Sequence, residues 1–486
     1  MLDFLKSHTW TILIVINYLV AISAIVVILL KNRNPTKTVS YILVLAVFPF
    51  FGIVVYYLFG QEYRKTKIFN RKDISNDKVV KTVGDQLRLN GRDLKAVDDL
   101  LDDKIKLVKL LKNSDKSPLT TNNSVEILRN GEVKFKHLFE DLKKAKHHIH
   151  IEYYVLEDHR IGTELLDIIC AKAREGVEVK LVYDDVGSKM SSKMKRKLTE
   201  CGVEHKPFMK VIFSSLAGRS NYRNHRKIVV IDGRIGYVGG INVSDDYVNF
   251  EENNNTRYWR DTHLKIVGDA VKVLQFHFIT TWDFVTDGDI EIKTSYFPEI
   301  TTDSAVAVQI AASGPDTDWA NIMEALLTAI NNAEQYVYIT TPYFIPNDQI
   351  VTALQIASRI GLDVRLIIPK NSDSWIAENA TNSYLEPLLD AGVKVYLYSK
   401  GFVHAKTMVV DDIFSTVGTC NMDNRSFNIN FEINALIYNK EKALELKALF
   451  LEDLKDCEPL DVARWENRST WCKFQESVSR LWAPLL

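Results

Sequence analysis

The chain has 486 residues, and at about 100 to 200 residues per domain that predicts two or three domains. Hydrophobic residues make up 46% and charged residues 25%, which excludes a wholly disordered or fibrous protein. Lys and Arg total 61 against 62 Asp and Glu, a formal net charge of −1 without the cationic footprint of a nucleic-acid binder, so no nucleic-acid partner is expected. The five cysteines, Cys170, Cys201, Cys420, Cys457 and Cys472, are widely spread and contain no C-x-x-C pair. Neither a disulfide framework nor a zinc ribbon is indicated, and a reducing compartment is the simpler expectation.

Trp10 to Leu30 carries no charge, and only Thr11, Asn17 and Ser23 interrupt it. About 20 apolar residues span a bilayer as a helix, so this run reads as transmembrane. It is too long for the apolar part of a signal peptide and ends in Lys31-Asn32-Arg33. A second uncharged run, Tyr41 to Phe59, contains Pro49 and Gly52, residues tolerated in membrane helices. Together the two predict a transmembrane hairpin over residues 1–60. Lys31, Arg33 and Lys37 lie within it, whereas Arg64, Lys65, Lys67, Arg71 and Lys72 follow it. Basic flanks stay cytoplasmic, so a multi-pass protein of the cell membrane is expected, its C-terminal part inside the cell.

Residues 61–115 are charged and read as a connecting arm. Beyond it the chain repeats itself, over 116–300 and 301–486. In the first copy Ile149 to Tyr154 reads as a strand, Thr163 to Arg174 as a helix ended by Gly176, and Val177 to Tyr183 as a strand. In the second, Tyr336 to Phe344, Gln349 to Arg359 ended by Gly361, and Leu362 to Ile368 follow the same order. Strands alternating with helices predict an α/β sheet in each half.

The repeat is sharpest where chemistry is expected. His225, Lys227, Asp232, Gly239 and Asn242 share the pattern H-x-K-x4-D-x6-G-x2-N with His404, Lys406, Asp411, Gly418 and Asn421. Five matched positions arise by chance roughly once in three million alignments at average residue usage. Ile228 to Ile231 is a β-branched run, and Asp232-Gly233 is a hairpin-turn signal. His and Lys are therefore expected on a strand, two apart and on one face, with Ile228 and Val230 turned the other way. Asp232 and Asp411 belong to the motif, yet each lies some ~16 Å along the strand from its His, which points to a structural part.

Two His, two Lys and two Asn in one place suit a phosphodiester, whose charge two ammonium groups and amide donors can hold during displacement. One imidazole would attack phosphorus while the other protonates the departing alkoxide and later deprotonates the incoming alcohol. The carboxylates Asp261 and Glu432, each following its motif, are expected to orient the imidazoles. Neither a metal nor another cofactor is required. His147, His148 and His150 flank a strand with no partnering ligand set and are read as structural. Lys189, Lys193, Lys195, Arg196 and Lys197 form a basic cluster, a solvated helix face or a site of lipid attraction. Arg219, Arg223 and Arg226 crowd the first motif, as headgroup guides or loop charges. The apolar end Leu481 to Leu486 either dips into an interface or docks on its own domain.

The doubled H-x-K-x4-D resembles the phospholipase D superfamily. Tyr183 to Ser188, Trp259 to His263, Thr341 to Phe344 and Gly401 to Lys406, with the two-helix start, are similar to bacterial cardiolipin synthases over nearly the whole chain. The resemblance implies two tandem halves related by pseudo-two-fold symmetry. It also implies transfer of a phosphatidyl group between two phosphatidylglycerol molecules, donor and acceptor, with His225 as nucleophile and His404 as acid and base. Gly240 departs from the serine common there, and Cys420 from a smaller residue. A hydrolase of the same superfamily and a catalytically silent lipid-binding protein are the competing readings; the second expects a missing His or Lys, and none is missing.

Overall fold

The computed structural model describes residues 9–31, 35–59, 74, 77–87, 105–114, 117–209, 222–250, 257–288 and 290–483. The basic residues Arg33, Arg64, Lys65, Lys67, Arg71, Lys72 and Arg219, most of the expected arm, and the last three residues lie outside them. The chain forms two bodies, one within Met1–Arg64 and one of Lys65–Lys210 with Tyr222–Leu486.

In the first body Thr9–Lys31 is one continuous helix, and within it Thr9–Leu30 is long and apolar enough to cross a membrane. The expected second spanning helix differs. It is two shorter helices, Pro35–Val47 and Pro49–Phe59, with a break at Phe48. Pro49 has no amide proton and its ring crowds the preceding turn, so helical bonding falters there. The amides of Phe48 and Gly52 still reach the carbonyls of Val44 and Phe48. Ala21, Ile28 and Leu45 form the small buried contact among these helices.

In the second body, among the described residues, the first copy of the motif sits in a seven-stranded mixed sheet. Its order is Asn123–Arg129, Thr262–Gly268, Ile235–Gly239, Ile228–Ile231, His148–Tyr153, Glu178–Asp184 and Glu204–Phe208. A nine-stranded sheet holds the second copy. Its order is Leu119–Thr120, Ala307–Ser313, Glu432–Tyr438, Phe414–Gly418, Thr407–Val410, Tyr336–Thr340, Asp363–Pro369, Lys394–Tyr398 and Cys457–Pro459. The halves match strand for strand at the centre. His148–Tyr153 pairs parallel with Glu178–Asp184 and antiparallel with Ile228–Ile231. Tyr336–Thr340 pairs in the same senses with Asp363–Pro369 and Thr407–Val410.

Alternate residues of the motif strands serve two cores, as a period of two requires. Ile228 and Val230 enter a core shared by both sheets, with Val409, Val417, Ile433 and Ala435. Val229 and Ile231 enter the outer core of the first sheet, and Met408 and Val410 that of the second. Each such side chain contributes about 1.5 to 3 kcal/mol by leaving water, so the shared core makes the halves depend on one another.

Three expectations are corrected here. The arm is not merely a connector: helix Ile105–Ser114 buries Leu107, Val108 and Leu111 in the second sheet's outer core, and helix Lys78–Gln86 buries Val83 against Ile279 and Tyr296. The boundary near residue 116 is crossed as well, because Leu119–Thr120 is an edge strand of the second sheet, paired with Ala307–Ser313. The cysteines are not all free thiols. Cys170 and Cys201 form a disulfide, with Cα atoms 5.3 Å apart, between the helix Arg160–Arg174 and the end of Ser192–Glu200.

Candidate active site

His225 and His404 stand just before strands Ile228–Ile231 and Thr407–Val410 rather than within them. What fixes them is a crossed pairing of the two halves. The amide of His225 donates to the carbonyl of Phe431 at 2.9 Å, and the amide of His404 donates to that of Arg260 at 2.7 Å. The residues that follow those carbonyls are the carboxylates. Glu432 Oε2 lies 2.9 Å from His225 Nδ1, and Asp261 Oδ2 lies 2.7 Å from His404 Nδ1. Each imidazole is thus oriented by a carboxylate from the opposite half. A carboxylate at Nδ1 holds the proton there and leaves the Nε2 lone pair facing the site.

The lysines bend back. Lys227 Nζ donates to the carbonyl of His225 at 2.7 Å. Lys406 Nζ donates to that of His404 at 2.6 Å and also lies 2.9 Å from His404 Nε2. All four groups are buried. Burial, with the neighbouring Lys406, pushes Lys227 down to about 7; burial pushes Lys406 down to about 8 against the pull of Asp261. Burial also lowers His225 to about 4 and His404 well below its usual value. It raises Asp261 to about 6 although Lys406 opposes the rise. The electrostatic partners of each group include members of the other half, so both motifs act on one locus.

Rings wall the imidazoles. Tyr154 meets His225 edge-on at 5.0 Å, and Tyr247 meets His404 likewise at 5.3 Å. Trp259 and Phe402 add to the His404 side at 5.6 and 6.0 Å.

Asp232 and Asp411 do not join this cluster. Asp232 accepts the backbone amides of Lys146, His147 and His148, and Asp411 those of Glu334, Gln335 and Tyr336. Each ties the far end of its motif strand to the start of the central strand. Both sit at positive φ in the hairpin turn, +53° and +54°. Gly233 follows Asp232 at φ +65°, where a Cβ would meet the Tyr296 carbonyl at 2.4 Å. The expected substrate amide of Asn242 is engaged elsewhere. Its Nδ2 donates to the Tyr247 hydroxyl at 2.6 Å and its Oδ1 accepts the Val155 amide, which braces the ring against His404. Asn421 keeps its Oδ1 buried without a hydrogen-bond partner.

Two features escaped the sequence. Thr419 Oγ1 donates to Glu432 Oε2 at 2.5 Å, and in the aligned repeats Thr419 occupies the place of Gly240. At Gly240 a Cβ would meet Asp261 Oδ1 at 2.2 Å, so no hydroxyl fits there. Among the described residues no three His, Cys, Asp or Glu side chains converge as a metal would require. His148 and His150 pack on Tyr296, and His150 stacks on Phe278 at 4.5 Å.

Residues 138–281 and 326–454 match the family model described as cardiolipin synthase, PLD-like domain, and residues 19–61 match the phospholipase D-nuclease N-terminal model. A cardiolipin synthase of a Geobacillus species is 41% identical over 95% of this chain and 91% of its own. Another, from Alkalihalophilus pseudofirmus, is 39% identical over 99% of this chain and 95% of its own. The crystal structure of phosphatidylserine synthase from Haemophilus influenzae superposes with a TM-score of 0.59 at 16% identity, covering 78% of this chain and all of that one, and so shares the fold. With two interlocked motif halves and relatives matched almost end to end, the chain belongs to the cardiolipin synthase family of PLD-like proteins.

Proposed function

We propose that this chain makes cardiolipin by moving a phosphatidyl group from one phosphatidylglycerol to another through a covalent phosphohistidine on His225. The observation that carries the mechanism is the crossed pair of imidazoles, each held at Nδ1 by the other half's carboxylate. The curated relatives support the overall reaction.

His225 Nε2 attacks phosphorus, and the phosphorus–oxygen bond to the departing glycerol breaks. His404 gives that oxygen a proton. The anionic diester favours the imidazolium at His404, and Lys406, 2.9 Å away, is the neighbouring proton store. The second phosphatidylglycerol then brings its hydroxyl, His404 takes the proton, and the new oxygen displaces His225 from phosphorus. Two easier displacements replace one hard one. Lys227 and Lys406 hold the phosphoryl oxygens while charge redistributes. Asp232 and Asp411 hold the motif strands in place, and Asn242 positions Tyr247.

The protein is membrane-associated through Thr9–Leu30. The broken pair Pro35–Val47 and Pro49–Phe59 forms the returning arm of a hairpin, and the basic residues after it favour a cytoplasmic catalytic body. The Cys170–Cys201 disulfide favours the opposite, oxidising side. A membrane-impermeant maleimide on Glu164→Cys in intact cells decides: no labelling supports the cytoplasmic placement, and labelling overturns it.

Product analysis tests the reaction. Phosphatidylglycerol as sole substrate, without added metal, is expected to give cardiolipin and glycerol in equal amounts. Phosphatidic acid without cardiolipin would make the chain a hydrolase.

A further inference from the structure

The helix Thr470–Arg480 is amphipathic in the wrong sense for a protein in water. Its polar side is the one that docks. Glu476 and Ser479 are buried, and Glu476 accepts the Arg468 guanidinium at 3.0 Å, which also reaches Glu386 at 2.7 Å. Its apolar side is left outside. Trp471, Phe474, Val478, Leu481 and Trp482 recur at helical spacing and are 65, 55, 39, 79 and 52% exposed. Trp471 stacks with Phe474 at 5.6 Å. The neighbouring helix Trp375–Asn382 packs beside it and adds Trp375, 60% exposed. In water such a stripe turns inward; outward, it suits an apolar surrounding.

We propose that this face lies in the interfacial layer of a phospholipid bilayer containing anionic lipid. Three observations select that occupant. Trp-rich faces sit at the level of the headgroups, where one edge is apolar and the other wet. The helix's carboxylate, Glu476, is already paired with Arg468, so the charges it has left are the cations Lys473, whose Nζ also donates to the Glu466 carbonyl at 3.1 Å, and the exposed Arg480. The face is also continuous with the site. Ile345, Ala377, Ala380 and Ala483 form the cluster beneath it, Tyr343 packs on that cluster and against Phe402 at 6.5 Å, and Phe402 meets His404 at 6.0 Å. A continuous run of packed side chains therefore links the face to the catalytic imidazole. The inference rests on the lipid reaction proposed above.

The test uses the full chain in nanodiscs of phosphatidylglycerol and phosphatidylcholine. An environment-sensitive fluorophore is placed on Phe474→Cys in a Cys472→Ser background, with Glu164→Cys as the exposed reference. A blue shift at 474 and about threefold stronger quenching by nitroxide-bearing lipid than at 164 are expected. Equal quenching at both sites overturns the proposal. So does a blue shift without lipid quenching, which would mean that protein, such as a second copy, covers the face. Trp471→Ser with Phe474→Ser and Trp482→Ser is expected to lower turnover of bilayer phosphatidylglycerol about tenfold and to leave that of dispersed short-chain phosphatidylglycerol unchanged. Equal loss on both substrates, or on neither, overturns it. Failure of the unaltered chain to transfer phosphatidyl groups would instead remove the underlying reaction.

Discussion

On the His225 side of the site a hydroxyl, Thr419, completes the carboxylate that orients the imidazole; on the His404 side the same place is Gly240, and Asp261 fills the space. The lysines differ as well. Lys406 reaches the Nε2 of its own motif's histidine, whereas Lys227 donates to the His225 carbonyl and lies over the Tyr154 ring at 5.5 Å. The motif occurs twice, and in the proposed mechanism these small differences suit the copies to different work. An imidazole with an unoccupied lone pair suits attack, and one beside an ammonium suits proton exchange.

The largest test of that difference is removal of each imidazole. His225→Ala is expected to cost on the order of 10⁴-fold or more in kcat and to abolish a trapped phosphoenzyme. His404→Ala is expected to keep trapping with an activated leaving group while turnover falls by about 10² to 10⁴. Phosphohistidine at position 404 would reverse the roles. Next come the orienting carboxylates. Glu432→Gln should slow phosphoenzyme formation, and Asp261→Asn the transfer to the acceptor, each by about 10² in single-turnover kinetics.

The pH profile sharpens the comparison further. Asp261, raised to about 6, becomes protonated below that pH and releases His404; Lys406, lowered to about 8, loses its proton above that. Lys227, lowered to about 7, loses its proton before Lys406 does, so activity should rise through about 6 and begin to fall from about 7. Lys227→Arg should carry the alkaline limb up from about 7 toward the 8 of Lys406, since a guanidinium keeps its proton. Thr419→Val, which removes one hydrogen bond from Glu432, is expected to cost about five- to tenfold in kcat. Asp232→Ala and Asp411→Ala should each lower unfolding stability by about 2 to 3 kcal/mol, read by denaturant titration, while folded molecules retain turnover.

Much of this was legible in the sequence. The doubled spacing named both His–Lys pairs, the β-branched run after Lys227 became strand Ile228–Ile231, and Asp232-Gly233 became a turn. The count from His225 to Asp232 already placed that carboxylate beyond reach of proton chemistry. What could not be read was the exchange between halves. Asp261 and Glu432 were visible, but only packing two sheets on one core assigns each to the other half's histidine. The break at Phe48 was not foreseen, because an uncharged run was weighed by length while Pro49 acts on the turn before it. The Cys170–Cys201 contact depends on two helices meeting in space and leaves no spacing signature.

The crossed carboxylates bear on how such a protein could arise. A polypeptide with one copy of the motif would hold an imidazole with no acid to steady it, and would become competent only by embracing a second identical molecule. Fusing the two genes removes that concentration dependence. It also frees each copy to specialise, because a substitution such as glycine for threonine then falls on one side of the catalyst and spares the other.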